Sequence, residues 1–570
     1  MKNLKRTLAS LALALVSSPL FAIDYVVTRT DDPNPDAITL PGCQPSGGCS
    51  LRQAVLAANK RPGADRIVLG RNIYELTRTN STPYPLDGKS GALLVTDALE
   101  VIGDSILRTR VRWRSGASLP HQTQPHQHSI WFAQLNAPIS LSRMSISGGR
   151  GAYGGCILLQ NLQVSFSDLN VEECTSTYGG AVYVTGYATL ARDIALNRVT
   201  FRANRADYGG AMMILGTATI IANDVALIDN SATFDGGAVN GSGSLNLVWR
   251  SEAMGTRFAN NIAGRHGGAV ALDGPGVANF FALTGAVPLN FENNVALVDG
   301  GGISMIRDYA TLENRLIVEN ATFTGNSADT GDGGAIALRS SDALISQSTF
   351  KANVSKSRSG GAIYSDYSSV TPSLTGNIEI RQSSFNENKS QLNGGAISNQ
   401  CQVNTVRDSS FYANQSVQGQ GEVISATGST SLAHVSTDAH GQTNSGPATL
   451  HKNFSTACGA QPFGIANSVI SGADSCYGQA GVIQSNGGNQ FGPSTGGCYF
   501  LANLDQYGSS STFGLSLGSF GGVKDVLGWN VDGLARPQIN FGQGAYCSAV
   551  DVRGLPRPAA ACDAGAFEQQ

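Results

Sequence analysis

Residues 323–340 read FTGNSADTGDGGAIALRS, and the phrase has near-copies: FENNVALVDGGGISM from Phe291, FKANVSKSRSGGAIYS from Phe350 and FNENKSQLNGGAISN from Phe385. Each spells an aromatic residue, an Asn three later, and a Gly-Gly followed by small and branched apolar residues. Aligned on the first Gly, the pair falls at 154, 179, 209, 236, 267, 300, 333, 360 and 394, with Gln420-Gly421 as a degenerate tenth site. The aromatic or aliphatic residue and its Asn precede eight of the ten: Phe201/Asn204, Leu227/Asn230, Phe258/Asn261, Phe291/Asn294, Phe323/Asn326, Phe350/Asn353, Phe385/Asn388 and Phe411/Asn414. Site-to-site spacing varies from 25 to 34 residues, while the Phe-to-Gly distance stays at 8 to 10. A fixed spacing inside a variable length means one constant corner per unit, with loops absorbing the variation.

The chemistry of the unit gives its shape. Phe or Leu points into a core. Asn tolerates a left-handed backbone and bonds neighbouring main chain, so it suits a turn. Gly-Gly lets the chain bend again where a side chain would clash. The stretches AVYV, AMMI, AIAL and AIYS that follow are short strands. No unit holds a 12-residue amphipathic period, which excludes helical repeats. Units of about 30 residues built from short strands cannot bury a face alone and must stack, with equivalent strands pairing in parallel about 4.8 Å apart. The expected fold is an all-β solenoid.

The bulk numbers agree. The chain has 570 residues, 14 % of them charged, 7 % aromatic and 41 % hydrophobic, with 69 Gly. That suits a turn-rich β protein with a large core and excludes a disordered one. Residues 1–22 read as a cleaved signal peptide: Lys2, Lys5 and Arg6 precede a short apolar run, and SSPLFA offers a cleavage site. The apolar run is too short to span a bilayer, and the mature chain carries no transmembrane segment. Cleavage takes the formal net charge from −3 to −6, which argues against nucleic acid and anionic membrane surfaces as partners. All ten cysteines lie in the mature chain, at 43, 49, 156, 174, 401, 458, 476, 498, 547 and 562. An even count in an exported chain points to disulfides. Cys43–Cys49 is a local bridge and Cys156–Cys174 a second candidate, while the other six leave all their pairings open.

Two signatures, Gly-Gly-Ala-Ile and Phe-x-x-Asn, resemble those of polymorphic outer-membrane proteins and related right-handed parallel β-helix surface proteins, over residues 150–425. CSLRQAVLAAN, residues 49–59, resembles the CSLREA motif of bacterial secreted β-helix proteins, with Gln53 where Glu is usual. DVRGLPRPAAACDAGAFE, residues 551–568, resembles the end of the choice-of-anchor domain at their C-termini. The resemblance implies a right-handed parallel β-helix at the cell surface or secreted, and no shared catalytic constellation. No translocator barrel is visible at the C-terminus, where the chain ends GAFEQQ.

Read unaided, residues 49–60 form a short helix. Ser50 and Gln53 make a capping box, Leu51, Ala54, Val55 and Ala58 share a face, and Pro62-Gly63 ends it. Such a helix serves as a lid over the first coil, hiding an open edge. The organisation expected is a signal peptide over 1–22, a cap and first coils over 23–145, the repeat β-helix over 146–430, and final coils with a Cys-rich cap over 431–570.

The residue before each Gly-Gly forms a row in the stacked solenoid: Tyr153, Tyr178, Tyr208, Asp235, His266, Asp299, Asp332, Ser359 and Asn393. Tyrosine faces are platforms for sugar rings, and neighbouring carboxylates can do glycosidic acid–base work. Against this, Asp, Asn and Ser are ordinary before a tight turn, and tyrosines also stack for stability. His121, His126 and His128 in HQTQPHQH lack a carboxylate or Cys at ligand spacing and read as a solvated loop. DDPNPD, residues 31–36, reads as a solvated turn without a calcium-loop spacing. No metal, cofactor, nucleophile-elbow or phosphate-loop motif is present.

Three classes of function remain. The first is an adhesin or carbohydrate-binding rod without catalysis, its partner a polysaccharide or cell-surface glycan. The second is a polysaccharide lyase or glycosidase, disfavoured by the lack of an evident Asp/Lys/Arg cluster across adjacent coils. The third is a structural envelope or matrix component. The first fits the sequence best.

Overall fold

The computed structural model describes residues 23–36, 43, 48–79, 87–114, 129–134, 137–160, 163–185, 192–306, 314–367, 376–438, 449–452, 461–471, 476–478, 483–492, 498–499, 505–507, 515–518, 526–529, 542, 546–558 and 562–568. The signal-peptide and three-histidine segments lie outside the described residues.

The chain is an all-β parallel solenoid of the right-handed β-helix type. Three parallel sheets wind around one core. The strands that follow each Gly-Gly form a 14-stranded sheet from Leu93–Val95 to Cys476–Gly478. A 29-stranded sheet carries the longer strands, and eight two-residue strands after each Asn, Arg205–Ala206 to Gln415–Ser416, make the third. Along the Gly-Gly strands the register is kept, as in Ile303↔Ile336↔Ile363↔Ile397. Coils continue past residue 430, since Thr430–Asp438 pairs in parallel with Phe463–Ala466 and Val469–Ile470.

One hydrophobic cluster runs from Tyr25 to Phe491. Its spine is the repeat's aromatic residue. Phe258, Phe291, Phe323, Phe350, Phe385 and Phe411 stack with centroids 4.6–4.8 Å apart and planes within 9°. Strand spacing sets that distance, so each new coil adds a ring at contact.

The Asn of the repeat has a different job from the one its turn chemistry suggests. The left-handed residue is the one before it: Ala203, Asp229, Asn260, Asn293, Gly325, Ala352, Glu387 and Ala413 all have φ between 50° and 64°. Asn204, Asn230, Asn261, Asn294, Asn326, Asn353, Asn388 and Asn414 are instead buried side by side as a ladder. Asn326 is typical. Its backbone N–H and its Nδ2 both donate to Asn353 Oδ1, at 3.0 and 2.9 Å. Nδ2 also donates to the Phe291 carbonyl at 3.0 Å, and Oδ1 accepts both equivalent donors of Asn294. The amide is thereby saturated, which is what permits full burial of a polar side chain. Cys174 holds the ladder position one coil earlier, its N–H donating to Asn204 Oδ1, and is disulfide-bonded to Cys156.

The two glycines are required for separate reasons. The first is left-handed, φ +59° to +74° from Gly154 to Gly421. The second has an ordinary φ, but a Cβ on it would lie 2.0–2.3 Å from the carbonyl oxygen of the residue one coil on, for Gly155 to Gly395. This corrects the alignment of the tenth site. Gly421, not Gln420, fills the left-handed slot, and Glu422 stands in the second column.

Glu422 is 3 % exposed, and burial pushes its carboxyl up to about 7. A carboxyl raised in the folded state favours folding at low pH, and that contribution is lost as pH climbs from about 4.5 through about 7. Glu422→Gln is therefore expected to melt higher than the parent at pH 8, by about 2–3 kcal/mol in stability, with the advantage vanishing near pH 4.5. Thermal unfolding of both proteins across that range checks it. A melting difference independent of pH would refute it.

At the N-terminus the helix α1, Leu51–Asn59, carries the capping box of Ser50 and Gln53 and packs on the first strands. DDPNPD is not simply solvated. Asp32 is buried and receives Arg52 Nε and Nη2 at 2.7 and 3.0 Å, along with the Thr77 and Arg78 amides. Arg52 also donates to the Gly88 and Gly91 carbonyls. The pair ties the helix to the first coil, and the amphipathic pattern could not reveal it because Arg52 reads as a polar-face residue.

The structure bonds Cys43 to Cys49 and Cys547 to Cys562. Cys401 and Cys476 are also disulfide-bonded, and no described cysteine is free. Residues 546–558 and 562–568 run along the side of the solenoid. Gln382 donates to the Asp551 carbonyl, Ser548 to Asp408, and the Gly565 amide to the Asn467 carbonyl. Arg557 is buried between Asp408 and Glu568.

Candidate functional site

The outer face of the 14-stranded sheet carries the row. Each first-Gly amide donates to the carbonyl of the row residue one coil on, as Gly300 does to Asp332 and Gly333 to Ser359 at 3.0 Å, so the row is continuous. Beside it runs a floor column, the fourth residue after each first Gly. The column begins bulky, with Leu158, Tyr183 and Met213, becomes small at Ala271, Ser304 and Ala337, and is closed by Tyr364. The sixth residues, Asp273, Ile306, Arg339 and Asp366, form the far column.

Tyr153, Tyr178 and Tyr208 stack at 5.2 and 5.7 Å with planes within 9°, and Phe234 covers the end of the stack at 5.1 Å. Their rings pack on the apolar floor. Neighbouring rings occupy one another's faces within the stack. Asp235 is spent on Arg265 and on the His266 amide.

The polar half of the row is itself a ladder. Asp299 Oδ1 accepts the Asp332 amide at 2.9 Å, Asp332 Oδ1 the Ser359 amide at 2.8 Å, and Asn393 Oδ1 the Gln420 amide at 2.8 Å. That is the physical reason for acid, amide and hydroxyl residues here. It leaves each second carboxylate oxygen for other work. Asp299 Oδ2 lies 3.3 Å from His266 Nδ1 and 3.8 Å from Arg339. Asp332 Oδ2 lies 3.9 Å from Arg358. Across the small floor, Tyr364 donates to Asp366 Oδ2 at 3.1 Å. Asp299, Ser304, Ala337, Arg339 and Tyr364 line a small pocket there.

The electrostatics divide the carboxyls. Burial works to raise Asp299, but the His266 and Asp332-amide hydrogen bonds and the Arg339 charge outweigh it and hold it below the usual range. Burial, with the Asp299 and Asp366 charges, pushes Asp332 up to about 6 against the Ser359 amide and Arg358. Burial likewise raises Asp366 and, with the Asp332 and Asp366 charges, the Tyr364 phenol. Two adjacent carboxyls are thus pushed in opposite directions, the pattern of an acid–base pair.

His266, Asp299 and Asp332 meet here, as the row predicts. Arg339, Arg358, Tyr364 and Asp366 were missed, and they supply the cluster across adjacent coils that sequence reading found lacking. Reading the fourth and sixth residues after each first Gly would have found three of them.

A second group, His434, Cys547 and Cys562, has ligand atoms within 4.8 Å of one another, but the two sulfurs are joined as a disulfide.

The Chlamydia polymorphic membrane protein repeat matches residues 320–339 and 382–400, so the chain is a β-helix protein carrying repeats of that type. No curated protein matches the chain. Among solved structures, the catalytic unit of a GH87 alpha-1,3-glucanase from Streptomyces thermodiastaticus is 12 % identical with a TM-score of 0.37, over 81 % of this chain and 70 % of that one. The Azotobacter vinelandii mannuronan C-5 epimerase AlgE4 A-module is 10 % identical with a TM-score of 0.26, over 81 % and 92 %. No helix among the described residues is long and apolar enough to cross a membrane.

Proposed function

We propose that this chain is an exported surface β-helix whose outer groove holds a polysaccharide. The reading rests above all on the mixed cluster of Asp299, Asp332, Asp366, Arg339 and Tyr364 around the small floor residues. Asp299, Arg339 and Tyr364 line the shallow pocket, with Asp332 and Asp366 beside it, and this mixture of acceptors and donors suits the hydroxyls of a sugar, which both donate and accept. Three carboxyls outnumber the cations there, which favours a neutral polymer over a uronate. In this reading residues 1–22 are the export signal, α1 is the lid of the first coil, and adhesion is the use to which the rod is put.

Size-exclusion chromatography of the purified protein with soluble dextran, laminarin and xylan tests the groove. At least one polymer is expected to carry protein into the void volume. Arg339→Ala should weaken that binding about tenfold, the worth of one charged hydrogen bond. Separate elution with all three polymers would sink the reading and favour a structural component.

A further inference from the structure

The cluster carries more than a grip. We propose that it is a glycan-cleaving centre in which Asp332 is the general acid and Asp299 the nucleophile, acting on a neutral polysaccharide with retention of configuration. The inference rests on the groove being a glycan site.

Three observations carry it. Asp299 and Asp332 occupy successive coils and engage the next coil through the same oxygen, each accepting an amide with Oδ1 at 2.8–2.9 Å. Stacked on successive coils, the two carboxyl groups lie about one strand spacing apart, about 4.8 Å, near the separation of a retaining carboxyl pair. The floor beside Asp299 is cut down to Ser304 and Ala337, with Tyr364 as the wall beyond them. Finally, burial and the Asp299 and Asp366 charges keep Asp332 protonated to about pH 6 against the Ser359 amide and Arg358, while His266 and Arg339 help keep Asp299 ionised.

The chemistry balances with water as the only co-reactant. Asp299 attacks the anomeric carbon while Asp332 gives its proton to the departing glycosidic oxygen, breaking the C–O bond and leaving a glycosyl ester. Water then attacks that carbon, its proton passes to Asp332, and Asp299 leaves as carboxylate. Arg339 and His266 are positioning residues that orient Asp299.

The test incubates the purified protein with borohydride-reduced dextran, laminarin and xylan and follows new reducing ends and polymer length. One polymer should shorten, with the retained anomer in the first product and a rate that falls as pH rises through about 6. Asp332→Asn and Asp299→Asn should each lower that rate about 10²–10⁴-fold while still binding polymer. Both variants keep the Oδ1 acceptor, as Asn393 does, so the ladder and the fold persist. Polymer bound but never shortened overturns cleavage and leaves the binding groove standing. Polymer neither bound nor shortened overturns both. An inverted product, or full activity in Asp332→Asn, overturns the assignment of roles.

Discussion

Gly334→Ala is expected to cost about 3–5 kcal/mol, more than ordinary overpacking by one methyl. Its Cβ would lie 2.1 Å from the Gly361 carbonyl oxygen and 2.5 Å from the Val354 nitrogen. Both are backbone atoms of the next coil, held by their own interstrand bonds. No rotamer change relieves the clash, so two coils must separate, opening the hydrogen bonds from Gly334 and Ile336 to the coil beyond. Gly325→Asn is the informative contrast. Gly325 is also left-handed, at φ +64°, but its slot holds Ala, Asp, Asn or Glu in other coils, and a Cβ there meets only the Asn293 side chain. That change should stay within about 1 kcal/mol. Urea denaturation of the two variants beside the parent decides it, and equal midpoints for both would show that the second-glycine column is not a steric requirement.

Asn326→Ala is the second large effect, also about 3–5 kcal/mol. Truncation strands the Asn294 amide and side-chain donors and the Phe291 carbonyl, all buried where water cannot replace the partner. Each such orphan costs about 1–3 kcal/mol. Because coils contact only their neighbours, the loss concentrates between residues 291 and 353. Hydrogen exchange should show those amides opening first, while the coils near residue 200 keep their protection. Unchanged protection of the Asn294 amide would refute the ladder's energetic role.

The β-helix itself was legible because its grammar is local. Phe-x-x-Asn and Gly-Gly sit within one corner, and no other common architecture repeats such a corner at variable intervals. The roles inside the corner were harder. Asn chemistry suits both a left-handed turn and a buried amide ladder, and only the stacked coils show that the ladder wins while the preceding residue takes the turn. Gln420 was misplaced by one because a lone Gly fits either glycine slot until the backbone says which is left-handed. The candidate site was half legible. His266, Asp299 and Asp332 stand beside an obvious landmark, the Gly-Gly. Arg339, Tyr364 and Asp366 stand four and six residues beyond it, on a strand whose outward positions look unremarkable singly and make sense only side by side. The Asp32–Arg52 pair was hidden for a similar reason, since 20 residues separate an apparent turn acid from an apparent surface arginine.

The asparagine ladder also gives the rod a direction of growth. Every amide in it points the same way, so each coil's two donors are met by the oxygen of the coil that follows it in the chain. A chain emerging with its amino end first would always present, at its unfinished tip, a pair of donors set to receive one carboxamide. A coil that arrives out of phase offers another residue there and leaves both donors unmet. The ladder therefore has unlike ends, an accepting oxygen facing back along the chain and a pair of donors facing on.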